Sequence, residues 1–238
     1  MNKSELIKVV AAATCTKKEG EIASDSSPIR FRLGGVILML AIGAFFLSGC
    51  AIGVTRVQLS HNPLERIENK KQENILIEPF VDARKDREHI GNKRNAFGMV
   101  LGHIGTEEGV NLDTVLTGYF ADALRAAGYN AILKGEAKSA EQVYNAVLTG
   151  KISEFWMDLY MAVWHYMRVN LEIIDPADRH VLWSKEVKGE QKRVLWVGAT
   201  GEYERIIGEA TTNALNEAVK AFSSDEFAEA IRQGSSRH

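Results

Sequence analysis

Residues 161–174 alternate without a break. Val163, His165, Met167, Val169, Leu171 and Ile173 fall on one side, and Trp164, Tyr166, Arg168, Asn170 and Glu172 on the other. A period of two over this length specifies a half-buried strand. The "DPADR" that follows, Asp175 to Arg179, has the residues of a tight turn, so residues 180–193 return as an antiparallel partner. Such a hairpin needs something to cover its apolar side. Two stretches offer it: Leu112, Val115, Leu116, Tyr119, Phe120, Ala123, Leu124 and Ala127, then Tyr203, Ile206, Ile207, Ala210, Ala214, Leu215, Ala218, Val219 and Phe222. Both follow i, i+3, i+4 spacing, the mark of an amphipathic helix, and Gly128 stops the first.

Around this nucleus "ILIEPFVD" (75–82) reads as a first strand, "YNAILK" (129–134) as a second and residues 145–156 as a third. Residues 83–110, with five glycines from Gly91 to Gly109, read as a long loop. Capping boxes at Ser139–Gln142 and Ser223–Glu226 each start a short helical turn. The expected fold is α+β: a mostly antiparallel sheet of about four to five strands, with two long helices packed on one face.

The N-terminal fifth has a different character. Arg30 and Arg32 precede "LGGVILMLAIGAFFLSG", a basic and then apolar pattern suited to a secretory signal and short for a bilayer-spanning helix. It ends in Leu47-Ser48-Gly49-Cys50, which resembles the lipobox of bacterial lipoproteins. That resemblance implies cleavage after Gly49, a thioether-linked diacylglycerol and an N-acyl chain on Cys50. It also implies an outer-membrane address, because Ala51 rather than Asp follows the cysteine. Residues 1–28 are long and polar for a signal and are read as a start placed too early; 29–49 are the signal peptide. Residues 50–73, with "ENKKQEN", are expected to be a lipidated cysteine and flexible tether, 74–233 a single domain and 234–238 a disordered tail.

Several classes of function are poorly supported. A net charge of −2 gives no general attraction for nucleic acid. The two cysteines, Cys15 and Cys50, make no disulfide framework, and no cofactor or metal is expected beyond the acyl chains. The glycine-rich loop holds neither phosphate-binding pattern, and Asp113 at the helix start would repel an anion. His89, His103, His165 and His180 show no metal spacing, and no serine sits in a nucleophile elbow, so no catalytic set emerges. Asp82, Asp86 and Glu88 lie among Arg84, Lys85 and Arg87 and read first as a mutually paired loop; the basic residues there, with Lys93 and Arg94, leave a lipid-headgroup contact open. The aromatics Trp156, Trp164, Tyr166 and Trp183 either pack a partly covered sheet face or form a partner-binding patch, with Trp164, Tyr166 and Trp183 the leading candidates.

The lipobox, "DARKD" after the first strand, "IGNKRNAFG", the "LRAAGY" that closes the first helix and "SSDEFAEAIRQ" together resemble the YajG-type bacterial lipoproteins. Asp82, Arg84 and Gly91 are the most pointed residues of that likeness. It implies a lipid-anchored protein on the periplasmic face of the outer membrane, in a family with no settled biochemical activity; with no catalytic set in the sequence, the reading for this chain is a non-enzymatic one. Such a protein would act by binding an envelope protein in maintenance or assembly. The alternative is an accessory lipoprotein that helps transport lipid or lipopolysaccharide, which calls for an apolar groove and a bound amphiphile.

Overall fold

The computed structural model describes residues 53–67, 71–136, 143–194 and 200–235. Nine strands appear: β1 (Gly53–Val57), β2 (Asn74–Ile77), β3 (Val81–Asp82), β4 (Gly91–Arg94), β5 (Val100–Thr106), β6 (Asn130–Leu133), β7 (Ala146–Tyr160), β8 (Ala162–Ile174) and β9 (Val181–Arg193). Three helices accompany them: α1 (Leu112–Ala126), α2 (Thr200–Phe222) and α3 (Asp225–Ser235).

The long strand β7 is the spine. Along one edge it pairs with β8 over nearly its whole length, and β8 pairs in turn with β9, both antiparallel. Along its other edge three short strands dock in succession, all parallel: β2 at Ala146–Leu148, β3 at Lys151–Ile152 and β4 at Met157–Leu159. Two arms extend from these: β6 lies beside β2, and β5 then β1 lie beside β4.

The expected sheet of four to five mostly antiparallel strands with two helices is therefore corrected. Among the described residues there are nine strands, five of the eight strand pairings are parallel, and three α-helices are present. The physical reason lies in the connections. A hairpin turn can be seen in sequence, whereas a parallel pair such as β2 and β6 forms because α1 carries the chain back to its starting end. The strands that were missed, β1, β4 and β5, are short and hold several glycines, so they show no alternation.

The meander follows its sequence pattern. Leu148, Ile152, Phe155 and Met157 of β7 and Val163, Met167, Val169, Leu171 and Ile173 of β8 are all buried. A bulge at Ile152/Glu154 shifts the register by one residue, which keeps Phe155 and Met157 on the inner face. Helix α2 packs along β9 and β8, α1 packs on α2 and β6, and α3 closes over β9. Leu116, Phe120 and Leu124 of α1, Ile206, Ile207, Leu215 and Phe222 of α2 and Phe227 of α3 complete the core.

The domain starts earlier than the sequence implied. Residues 53–67 do not form a free tether: β1 is in the sheet, Val57 is buried, and Leu59 and Leu64 pack against the core. The Asn62 amide donates to Thr212 Oγ1 of α2 (2.9 Å), and the Ile67 amide to the Ala126 carbonyl at the end of α1 (2.9 Å). This strap crosses both long helices. At the other end α3 runs to Ser235, into the stretch expected to be a tail. The capping box at Ser139–Gln142 lies outside the described residues.

Candidate functional site

The motif residues of the β3–β4 connection come together. Arg84 turns inward, its side chain 5% exposed, and grips Asp82: Nη2 to Oδ2 is 2.8 Å and Nε to Oδ1 is 3.0 Å. The same guanidinium donates to the carbonyls of His89 (2.8 Å) and Phe155 (3.3 Å). A planar fork of donors is suited to joining several acceptors at fixed angles, and here it ties the loop to β7. Asp86 closes the rest of the turn, accepting from the amides of Glu88 and His89 and facing the His89 ring at 3.1 Å. Burial works against the charge, but these His89 and Glu88 contacts outweigh it and hold the Asp86 carboxyl below the usual range.

Gly91 has its own reason. It opens β4 directly against Met157 of β7, and a Cβ there would lie 2.3 Å from the Met157 carbonyl oxygen. Asp82, Arg84 and Gly91 thus build one junction. Its basic neighbours separate: Lys93 is buried with Nζ 2.9 Å from Thr55 Oγ1, and Arg94 reaches Asp158 at 2.8 Å. No joint cationic patch forms from the five.

The aromatic candidates divide by register. Trp183 is in line with Ile173 and so points to the helix side. It is buried edge-on against Phe227, with centroids 4.9 Å apart, and near Phe222. Trp183 therefore belongs to the core and not to a partner-binding face. Trp164 and Tyr166 point the other way, stacked at 6.3 Å with planes 13° apart, and Lys192 Nζ sits 3.7 Å above the Trp164 ring. Trp156 of β7 is in register with Tyr166. The three rings are half-buried and form a continuous strip on the sheet face opposite the helices. Arg168 borders the strip, reaching Glu154 at 3.7 Å and Glu186 at 3.9 Å.

The histidines do not gather into a centre. His89 and His103 stack at 4.1 Å, with His103 Nδ1 2.9 Å from Asn92 Oδ1. Among the described residues no group of three potential ligands could hold a metal ion. His165 is fully buried, packed edge-on against Phe155 at 4.6 Å. Burial pushes its pKa down to about 3, the Trp156 backbone opposing this to a smaller extent, so the ring is neutral.

A groove of about 960 Å³ opens between the strap and α1. Pro63, Leu64, Ile67, Ala126 and Tyr129 line it together with Arg66, Lys71, Asp122 and Arg125, a wall of mixed character. Among the described residues no helix is long and apolar enough to cross a membrane. The lipobox residues Leu47, Ser48, Gly49 and Cys50 lie outside the described residues. Two features escaped the sequence reading: the strap and a group of exposed apolar residues between Ala96 and Leu101. For the second a signal existed, since "AFGMVLG" is unusually apolar for a solvent loop.

No family model matches the chain, and no curated protein matches its sequence. Solved structures do. Protein XCC0632 from Xanthomonas campestris, of family DUF330, superposes with a TM-score of 0.54 at 14% identity, covering 77% of this chain and 100% of that one. The PelC dodecamer from Paraburkholderia phytofirmans aligns at 0.40 with 15% identity, over 63% of this chain and 86% of that one. Lipoprotein GNA1162 from Neisseria meningitidis gives 0.35 at 14% identity, over 66% and 99%. The first of these establishes a shared fold. At that level the resemblance to YajG-type lipoproteins is upheld.

Proposed function

We propose that this chain is a lipoprotein held by acyl chains on Cys50 to the periplasmic face of the outer membrane. There it acts without catalysis, as a binding module in envelope maintenance or assembly. The observation that carries the binding role is the strip of Trp156, Trp164 and Tyr166. Helices α2 and α3 pack against the opposite side of the meander, and α1 packs on α2, so among the described residues three large, half-buried rings stand on the face that no helix covers. Aromatic residues with a charged border are the usual composition of a protein-binding surface. The anchor rests on the lipobox. The lipid-transport reading has less to draw on, because the groove beside α1 is lined by four charged side chains.

Two measurements test the two halves. Cys50→Ala should abolish incorporation of labelled palmitate and leave a larger, unprocessed precursor; normal processing would end the anchor reading. A photoreactive side chain in place of Trp164 should cross-link in intact cells to one envelope protein in constant proportion. Cross-links to lipid or lipopolysaccharide alone would transfer the reading to amphiphile transport.

A further inference from the structure

The strand pairings bring six strand ends to one edge of the molecule. β7 ends at Tyr160 where β8 begins, and β9 ends at Arg193 opposite Val163. β4, parallel to β7, ends at Arg94; β5 starts opposite it at Val100; β1 starts at Gly53 opposite Gly102. Of the twelve large apolar side chains exposed among the described residues, eight lie at this end: Val54, Phe97, Met99, Val100, Leu101, Tyr160, Met161 and Val194. Phe97 is 88% exposed and Met161 80%. Concentration at one edge separates these residues from the scattered surface hydrophobics that any protein carries.

Nor is this edge frayed. Asn95 Oδ1 accepts from the amides of Phe97 (2.9 Å) and Met99 (3.0 Å), and the Gly98 amide donates to the Asn95 carbonyl. Arg94, fixed on Asp158, also donates to the Gly98 carbonyl at 3.1 Å, and Tyr160 Oη donates to the Ala96 carbonyl at 3.3 Å. The two turns are thereby linked into one platform that holds Phe97 and Met99 out in solvent. Met161 is the single residue between the paired Tyr160 and Ala162, with φ +56°. Glycine or asparagine takes that conformation at lower cost. A long apolar side chain at such a position points to a use for the side chain.

The position of the anchor says what would cover it. Gly53 is the third residue after Cys50. At about 3.5 Å per residue, the acylated cysteine lies within about 10 Å of the start of β1, which is part of this same edge. We propose that this edge is a membrane-contact face. In this arrangement Phe97, Met99, Leu101, Tyr160 and Met161 enter the boundary between headgroups and acyl chains of the leaflet that holds Cys50. The inference rests on the anchor reading. It gives the molecule an orientation: β8 rises from the membrane, and the Asp175–Arg179 turn stands about 40 Å away in the periplasm.

A probe can test this directly. In the mature protein the thiol of Cys50 is consumed by the acyl linkage, so Met161→Cys introduces a single free thiol for an environment-sensitive fluorophore. Ala177→Cys is the matching site on the distal turn. The full chain is expressed, the mature protein purified in detergent and placed in phosphatidylethanolamine/phosphatidylglycerol vesicles, and its N-terminal peptide weighed. With acyl chains present on Cys50, spin-labelled lipid should quench the probe at 161 at least roughly twofold more than the probe at 177, since interfacial burial reaches 5–10 Å. Equal quenching on a lipidated protein would overturn the inference and leave the anchor standing. An N-terminal peptide without acyl chains would refute the anchor instead. Shielding at 161 that follows protein concentration rather than lipid would assign the edge to a second copy of the chain and overturn the proposal as well. Phe97→Asp should lower quenching at 161 while the melting temperature stays unchanged.

Discussion

Residues 82–91, from the end of the first expected strand into the glycine-rich loop, and residues 95–101 of the same loop have opposite fates. The first holds the conspicuous charges, Asp82, Arg84, Asp86 and Arg87, and folds inward until the Arg84 guanidinium is almost sealed. The second holds plain apolar residues and projects them outward, Phe97 furthest of all. Charge is commonly taken as the sign of function and apolar character as the sign of the core. Here the charges build the junction, and the apolar side chains are the ones left free to meet something else. The difference comes from what β7 needs. It must anchor a loop between β3 and β4, and a guanidinium with several carbonyl partners does so at little cost in exposed polar groups.

The comparison breaks most easily at Arg84. Arg84→Leu removes one half of a buried pair and takes a donor from the Asp82 carboxylate and from the His89 and Phe155 carbonyls, so urea unfolding should show a loss of about 3–5 kcal/mol. If stability were kept while partner cross-linking vanished, the junction would be a binding site and the contrast would be void. Gly91→Ala comes next. A methyl group 2.3 Å from the Met157 carbonyl must push β4 away from β7, and the expected loss is about 1–3 kcal/mol. Both substitutions should act through thermal or chemical stability before they touch membrane attachment.

How much of this could be read in advance depends on the range of each contact. The meander was legible, because the alternation in residues 161–174 records local burial on two faces. Both long helices were legible for the same reason. The sequence reading even placed the stop at Gly128, whose φ of +95° follows the last turn of α1. The cap of α3 was off by one residue: Ser224, not Ser223, accepts from the Phe227 amide. The parallel arms were not legible. Whether β1 pairs with β5 is decided by contacts some fifty residues apart, between Gly53 and Gly102 or Arg56 and Gly105, which carry no pattern of their own. Trp183 failed for a related reason. A bulge near the β8–β9 turn sets its face, and a one-residue shift exchanges the two sides of a strand. At the candidate site, Asp82, Arg84 and Gly91 were visible as residues, while their structural role became clear only from the approach of β7.

His165 offers a subtler test, set in the covered face and not in either loop. Its folded pKa, about 3, lies below the value near 6.5 of an exposed imidazole. Between those limits the unfolded chain binds a proton that the folded chain refuses. The contribution is therefore fully present above pH 6.5 and declines as pH falls, by at most about 1.4 kcal/mol per pH unit. His165→Leu should lose that slope between pH 6.5 and 5, where most carboxylates remain ionised. Paired melting curves of the two proteins give the difference. An unchanged slope would mean that the ring meets solvent or a counter-charge, and that the helix-covered face is less tightly closed than the sheet's inner row suggests.

The smallest effect on stability carries the most weight for the contrast. Phe97→Ser removes a ring that is almost wholly exposed and touches no part of the core, so the folded domain should change by no more than about 0.5 kcal/mol. Met161→Gly should go slightly the other way, because glycine relieves the backbone at φ +56° while giving up only solvent-exposed side chain. Neither side chain is therefore needed for the stability of the domain. An exposed ring at Phe97 and a long apolar side chain at φ +56° on Met161, where a polar residue and a glycine would fold as well or better, suit contact with another phase. Melting curves of the two variants decide it: a drop of several degrees would show that the edge is held by internal packing, and its apolar character would then need no membrane to explain it.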